Sequence, residues 1–560
     1  MESYRGVPAW AAALVGLVTG AVALGVSWLV AGFVRASAFP VLTVGDALVD
    51  LSPSWLKEWA IRTFGEADKA VLLSGVLVVL AALAAGTGIL ASRDLRYGHA
   101  ALAALGAIGL AAALTRPEAG PADALPVLAG VAAGMVSLSR LVRPRTVRRS
   151  AASGPDAPRP WFGLGTETGP TAPRSVEEAG TEPEARTPGG VAAPPVMRAG
   201  EDLRSFDRRG LLTGLLGGVV VAGATGVAGR LLSGSAEVDA ARVGVALPPP
   251  ALPARPVPAG SDLKIRGLSP FFTPNRDFYR VDTALIVPRV DPGDWTLKIH
   301  GMVDRPVELT FADLMKRPLV EADVTLCCVS NEVGGPYIGN ARWLGARLAD
   351  ILREAGVHRD ADMLLSVSAD GWTCGTPADV VMDGRDALLA IAMNGEALPV
   401  DHGFPARQVV PGLYGYVSAT KWVTEIKVTR FDRDEAYWTP RGWAAKGPIK
   451  TQSRIDLPKA GANLRPGRTV IAGVAWAQHK GVDAVEVRVD EGKWRQARLA
   501  EAPTADTWRQ WVLDDWDATP GRHTIQVRAT DATGYTQTSA VAPVAPDGAT
   551  GWHTVEVTVG

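Results

Sequence analysis

At 560 residues the chain is too long for one compact domain, and a net charge of −1 gives no electrostatic reason to expect nucleic acid or acidic substrates as partners. Three cysteines, Cys327, Cys328 and Cys374, exclude a disulfide framework. Several units of different character are therefore expected.

Residues 1–142 read as a helical membrane region. Residues 7–34 carry no charge and are long enough to span a bilayer, as are residues 70–92. The runs 97–115 and 124–139 are shorter and complete a set of four spans. The basic interval 93–96 and the cluster Arg140, Arg143, Arg145, Arg148 and Arg149 place those ends, and with them the amino terminus, in the cytoplasm. Residues 143–206, rich in Pro, Gly, Thr and Glu, cannot bury enough apolar surface to offset chain entropy and read as a disordered cytoplasmic linker. Arg208 and Arg209 then precede a Gly-rich apolar stretch, so residues 207–232 look like a twin-arginine export signal that also serves as a fifth transmembrane helix. An ordinary membrane helix with basic flanks is the alternative. Residues 233–262, with prolines from Pro248 to Pro258, read as an extended tether that holds the next domain off the bilayer.

Over residues 263–456 short β-prone runs such as 295–299 alternate with helical patterns at 348–354 and 386–393. Gly, Pro and Asp interrupt them closely, which predicts an α+β domain. From 457 to 560 the pattern is all-β. Val485-Glu486-Val487-Arg488-Val489-Asp490 alternates with period two, and similar runs recur at 468–476, 523–528 and 553–559. These predict an immunoglobulin-like sandwich, with Trp494 and Trp511 in its core.

The chemistry concentrates in the α+β domain. Thr325-Leu326-Cys327-Cys328-Val329-Ser330-Asn331 is followed by His402-Gly403-Phe404-Pro405-Ala406-Arg407, by Val410-Pro411-Gly412-Leu413-Tyr414-Gly415 and by Lys421-Trp422. A thiolate preceding a spaced His, Arg and Lys suits a soft metal carried by an anionic, phosphate-bearing cofactor. This order of motifs resembles the sulfite oxidase family of molybdopterin enzymes, over residues 265–560.

The resemblance implies a molybdenum–molybdopterin cofactor with Cys328, in its Cys-x-x-Asn setting, as metal ligand and catalytic residue. It implies that His402, Arg407, Ser418 and Lys421 hold the cofactor, and that Asn275, Tyr279 and Arg280 of the opening segment contact the pterin. Cys327 reads as a packing residue, with a vicinal disulfide to Cys328 as the alternative, and Cys374 as structural. Because the cofactor is inserted in the cytoplasm in this family, the domain would cross the membrane folded. The carboxy-terminal domain resembles the family's dimerisation domain, which implies a homodimer unless membrane tethering replaces it.

Two features depart from the sulfite-oxidising members, which surround the metal with arginines. Pro274 and the stretch Glu332-Val333-Gly334-Gly335 stand where arginines are expected, leaving Arg276 to compensate, and Asp370-Gly371-Trp372 replaces the region of the family's tyrosine. The expectation is a multi-pass cell-membrane protein whose extracytoplasmic domain transfers an oxygen atom to or from a small molecule. No Cys-x-x-Cys-His occurs and His99 is the lone histidine of the membrane region, so no haem is expected in this chain. Electrons would pass through a separate partner, a cytochrome or a quinone-linked protein. A sulfoxide-type reductase and a non-catalytic membrane-tethered binding protein are the competing readings.

Overall fold

The computed structural model describes residues 8–53, 56, 59, 63–64, 68–116, 119–142, 208–232 and 235–560; the linker expected over 143–206 lies outside the described residues. The amino-terminal region is helical: α1 (Ala9–Val34), α2 (Pro40–Leu51), α3 (Asp68–Arg93), α4 (Leu95–Leu114), α5 (Ala124–Val142), α6 (Arg208–Leu232) and α7 (Ser235–Val243). Helices α1, α3, α4 and α5 are long and apolar enough to cross a membrane, while the apolar stretch of α6, Thr213–Ala228, is shorter. Helix α1 is central and packs against α3, α5 and α6. Its Gly16 lies so close to α3 that an added Cβ would sit 2.0 Å from the Ala84 carbonyl oxygen. Small-residue seams of this kind drive helix association where lipid removes the hydrophobic force. Large apolar side chains such as Val78, Val79 and Val220 stay exposed on the outer faces, as a lipid-facing surface requires. At one end of the bundle Arg35 pairs with Asp123, and Arg116 pairs with Asp46 at 3.2 Å.

The segment expected to be a free spacer is packed along the next domain. Val238 of α7 is buried in that domain's core. Arg242 donates to the Leu398 and Ala397 carbonyls at 2.7 and 2.9 Å and pairs with Glu396. Further on, Leu252 bridges Val320 in parallel, so the proline-rich run adds backbone to a sheet edge. Its apolar residues, Val245, Leu247 and Val257, have more to gain from that packing than from standing in water.

The central domain contains β1 (Thr296–Gly301), β2 (Val307–Thr310), β3 (Leu319–Cys327), β4 (Ile338–Arg347), β5 (Met363–Ser368), β6 (Thr373–Pro377), β7 (Leu388–Met393), β8 (Glu396–Ala397), β9 (Arg407–Val409) and β10 (Val423–Thr429). Between them lie α8 (Phe311–Met315), α9 (Leu348–Ala355) and α10 (Ala378–Met382); the helix expected over 386–393 is instead the strand β7, a short apolar run buried along its whole length. One sheet runs β2-β1-β10-β5-β6, with β1 and β10 parallel; the other runs β3-β4-β7-β8, with β9 on β7. Local chemistry sets the helix ends: Thr310 and Asp313 form a capping box on α8, and Gly356 closes α9 in the left-handed conformation at φ 73°. The buried indoles of Trp295 and Trp343 donate to the Val423 and Val324 carbonyls, so neither leaves a polar group stranded.

The carboxy-terminal domain is a sandwich of β11 (Gln452–Leu457), β12 (Asn463–Leu464), β13 (Gly467–Trp476), β14 (Val482–Val489), β15 (Arg495–Gln496), β16 (Arg498–Leu499), β17 (Arg509–Ala518), β18 (Gly521–Asp531) and β19 (His553–Val559). Its sheets are ordered β11-β13-β17-β16 and β12-β19-β18-β14-β15. Trp511 is fully buried between them as expected. Trp494 is not in that core: it lies half-buried against Trp552, with Arg488 and Arg528 over its ring. Val474, Trp476 and Trp508 belong instead to the core of the central domain, so that core extends into the sandwich, whose own interior is a separate cluster around Trp511.

Candidate active site

Strand parity separates the two adjacent cysteines. Leu319 and Cys327 pack into one core, while Val320, Ala322, Val324 and Leu326 pack with Phe278, Trp343 and Phe404 on the opposite face. With side chains alternating, Cys328 falls on the second face, just beyond the strand end. Its N–H still donates to the Tyr337 carbonyl at 3.0 Å, and its carbonyl accepts from Asn331 N at 3.1 Å. Both thiols are free, Cys327 1% and Cys328 9% exposed, so there is no vicinal disulfide. Burial pushes the Cys328 thiol up, opposed by hydrogen bonds at Ser330 and by the charge of Lys421. A bound metal would displace that proton. Cys374 is enclosed by the hydroxyls of Thr420, Thr376 and Ser366, which fits a structural role.

Arg407 begins β9 and is buried. Its Nη1 donates to the His402 carbonyl at 3.0 Å, its Nη2 to the Ala419 carbonyl at 3.4 Å, and its guanidinium lies 5.0 Å from the Trp343 ring centroid. Its Nε makes no hydrogen bond, and no carboxylate pairs with it among the described residues. Burial of this uncompensated charge pulls the guanidinium down to about 10. Lys421 lies nearby, its Nζ donating to Asp282 at 2.7 Å and to the Asp401 carbonyl at 3.2 Å. Trp422, at φ 49°, is a strained position for an aromatic residue; its indole is locked on the Val400 carbonyl at 2.8 Å, which fixes where Lys421 emerges. Gly403 explains the motif glycine: at φ 110° it passes so close that a Cβ would sit 3.0 Å from Arg407 Cβ and 3.1 Å from Lys421 Cα.

His402 is buried, with Nε2 3.1 Å from the Asn275 carbonyl, so Nε2 must carry the proton. Burial first, and then Arg407 and Lys421, hold its pKa at about 4. It is therefore neutral in the folded protein at pH 7, and folding excludes a proton that the unfolded chain takes up below about 6.5. Stability present above that pH is lost as pH falls toward about 4, by about 3 kcal/mol from this group. The expected result is a falling melting temperature between pH 6.5 and 4.5, with a shallower fall in His402→Asn, which keeps the donor. An identical slope in the variant would remove His402 from the account.

The opening segment is only partly turned toward Cys328. Tyr279 is: burial, followed by the neighbouring Cys328 and Cys327, pushes its hydroxyl well above the usual range, with Arg407 opposing. The side chain of Asn275 is directed elsewhere, donating to Glu396 at 2.6 Å and to the Met393 carbonyl at 3.2 Å, and it is the backbone that reaches His402. Arg280 pairs with Asp282 at 2.9 Å. Ser418 is fully buried and its hydroxyl is engaged by the Tyr414 and Leu413 carbonyls at 3.0 and 3.2 Å, bracing the loop. Asp282, which bonds both Lys421 and Arg280, was missed by sequence reasoning; its signal was an acid two residues after Arg280 in an extended segment, hence on the same side. Arg276 does not compensate for missing arginines. Its side chain is 86% exposed and pairs with Asp277.

The donor set fits the cofactor. Among the described residues no group of three or more His, Cys, Asp or Glu side chains is placed to hold a metal, so a metal here would have to bring ligands of its own. Arg407 Nε is buried without a hydrogen-bond partner beside Tyr279, whose hydroxyl neighbours Cys328 and Cys327, as a group completed by a polar anionic ligand would be. The fold and site thus define a molybdopterin-binding oxidoreductase, and the family described as the oxidoreductase molybdopterin binding domain matches residues 284–438. Sulfite oxidase of Gallus gallus is 30% identical over 325 residues, covering 49% of this chain and 70% of that protein. The mitochondrial sulfite oxidase of Mus musculus is 33% identical over 325 residues, covering 49% of this chain and 58% of that protein. The uncharacterized oxidoreductase YuiH of Bacillus subtilis (strain 168) is 36% identical over 157 residues, covering 28% of this chain and 76% of that protein. The chain belongs to the sulfite oxidase family. It spans only 58% of the mouse enzyme's length.

Proposed function

We propose that the protein is a multi-pass membrane oxidoreductase whose extracytoplasmic domain transfers an oxygen atom to or from a small molecule, exchanging electrons with a separate redox partner. The observation that carries this reading is the buried Arg407 guanidinium, unmatched by any carboxylate among the described residues and set beside Tyr279, which in turn neighbours Cys328, with Lys421 close by. Cys328 would supply the thiolate to molybdenum. Arg407, Lys421 and Arg280 would receive the anionic part of the cofactor, with His402 and Tyr279 bordering the pterin. When bound, the cofactor supplies the two-electron redox centre and the site of oxygen transfer. In the oxidative direction the substrate gains the oxygen of water while two protons and two electrons leave. Turnover in ¹⁸O-labelled water should therefore label an oxidised product, and in the reductive direction an ¹⁸O-labelled oxide should lose its label to water. Turnover without either label movement would overturn oxygen-atom transfer.

Reduction of a neutral oxide, such as a sulfoxide, is the second reading, and the outward-facing Arg276 favours it. Sulfite is a small dianion, and Pro274 and the exposed Glu332 offer it no cation near Cys328.

Export is tested through the arginine pair. Because the cofactor-loaded domain would have to cross folded, replacing Arg208 and Arg209 together with Lys should leave it in the cytoplasm, protected from protease added to the outer face. Unimpaired extracytoplasmic activity in the double variant would remove the twin-arginine reading.

A further inference from the structure

Every element so far assigned to the cofactor belongs to the central domain, yet the backbone on both sides of Cys328 is held by the sandwich. On the amino-terminal side, Thr325 N donates to the Asp506 carbonyl at 2.9 Å, and its own carbonyl accepts from Gln478 Nε2 at 3.0 Å. The Thr325 hydroxyl accepts from Trp508 N at 2.8 Å while donating to Asn340 Oδ1 at 2.9 Å. All three polar groups of one buried residue, three positions before Cys328, are thus satisfied, and two of them entirely from the other domain.

On the carboxy-terminal side the hold is made by two side chains. Arg454, on β11, has each arm of its guanidinium engaged: Nε on Asp456 at 2.8 Å, one Nη on the Gly335 carbonyl at 2.9 Å, the other on Ser269 Oγ at 2.9 Å. His553, at the start of β19, accepts from Ile455 N at 2.9 Å through Nδ1, which fixes its ring plane. The ring edge then fills the space over Gly334, where a Cβ would lie 2.1 Å from Cδ2 and 2.2 Å from Nε2. Gly334 sits at φ 79°, so both its conformation and its surroundings demand glycine. The turn between these grips is closed by Asn331, whose Oδ1 accepts from Tyr337 N at 2.8 Å and whose N–H reaches back to the Cys328 carbonyl.

We propose that the sandwich is a brace for the Cys328 thiol, with Arg454 and His553 as positioning residues that fix the loop from Asn331 to Gly335. This extends the reading of Cys328 as metal ligand and rests on it for its functional meaning, while the brace itself is a property of the polypeptide. A ligand sulfur needs a fixed direction more than it needs contacts, and supporting residues beyond the ligand commonly set that direction. The planar guanidinium of Arg454 holds its acceptors in a fixed fork, whereas a lysine ammonium is a compact point charge on a flexible stem that imposes no such plane.

The test uses the full chain in detergent, made in a host unable to synthesise molybdopterin and pulse-labelled with N-ethylmaleimide, with Cys328 and Cys374 read separately by mass spectrometry. Arg454→Met and His553→Ala should each raise the Cys328 labelling rate by about tenfold, by freeing local opening of the loop, while Cys374 stays unchanged. Arg454→Lys should fall between Met and wild type. His553→Ala leaves the Arg454 bonds in place, so it decides the matter if the Met variant fails to fold. An unchanged Cys328 rate would overturn the brace, and so would acceleration of Cys328 and Cys374 together, which is what general loosening produces. Since no cofactor is present, these outcomes are independent of whether Cys328 binds molybdenum.

Discussion

Cys328→Ser is expected to abolish turnover while leaving the fold intact. The exchange removes one soft donor and substitutes a hydroxyl that does not ionise in a buried site, so the metal loses its protein ligand. A fall in kcat on the order of 10³-fold or more is expected, far beyond what altered packing would give. The neighbouring cysteines provide the contrast. Cys327→Ser puts a hydroxyl into the apolar core and should lower stability by about 1–2 kcal/mol with kcat little changed. Cys374 already lies among hydroxyls, so its Ser variant should be nearly silent. Equal loss of activity in the Cys327 and Cys328 variants, measured at matched cofactor content, would show that strand parity does not separate their roles.

The second large effect is at Arg407. In the cofactor-free protein this guanidinium is buried against Trp343, with two backbone carbonyls and, among the described residues, no carboxylate. Desolvation therefore works against the folded state, and removing the charge should cost little: the lost hydrogen bonds and the relieved charge offset to within about 1–2 kcal/mol. With the cofactor bound the balance reverses, because each charge-assisted bond to an anion contributes about 1.5–3 kcal/mol. Arg407→Met should thus keep a near-normal melting temperature without cofactor yet retain roughly 10- to 100-fold less molybdenum after dialysis. A variant that keeps its cofactor would remove Arg407 from the anion site. One that collapses without cofactor would show that the residue is structural.

Legibility in the sequence followed the range of the interactions. The sandwich was readable because β19 alternates strictly, and its burial repeats that alternation. Cys328, His402 and Arg407 stand out in the sequence because each sits in a short motif, and the structure brings the neighbours of the latter two together locally, Gly403 letting Lys421 and Arg407 approach and Trp422 fixing Lys421. Asn275 was found for its place in the opening segment, but only its carbonyl reaches His402; backbone use leaves no mark on residue type. The proline-rich segment misled because composition reports extension, and an extended chain can equally stand free or lie along a sheet edge as Leu252 does. Trp494 misled for a related reason: a strand-adjacent tryptophan can be covered by arginine stems on an outer face as well as by a core. Arg454 and His553 act on a loop more than a hundred residues away, between 331 and 335, and nothing local in either segment signals it.

The most direct test of the central claim is the molybdenum and pterin content of the purified full chain beside Cys328→Ser, with the metal's absorption spectrum recorded for both. The account predicts stoichiometric molybdenum and pterin in the wild type and a spectrum altered by loss of a sulfur ligand in the variant. Protein matured in a competent host that contains no molybdenum, or a variant whose metal spectrum is identical to wild type, would contradict it.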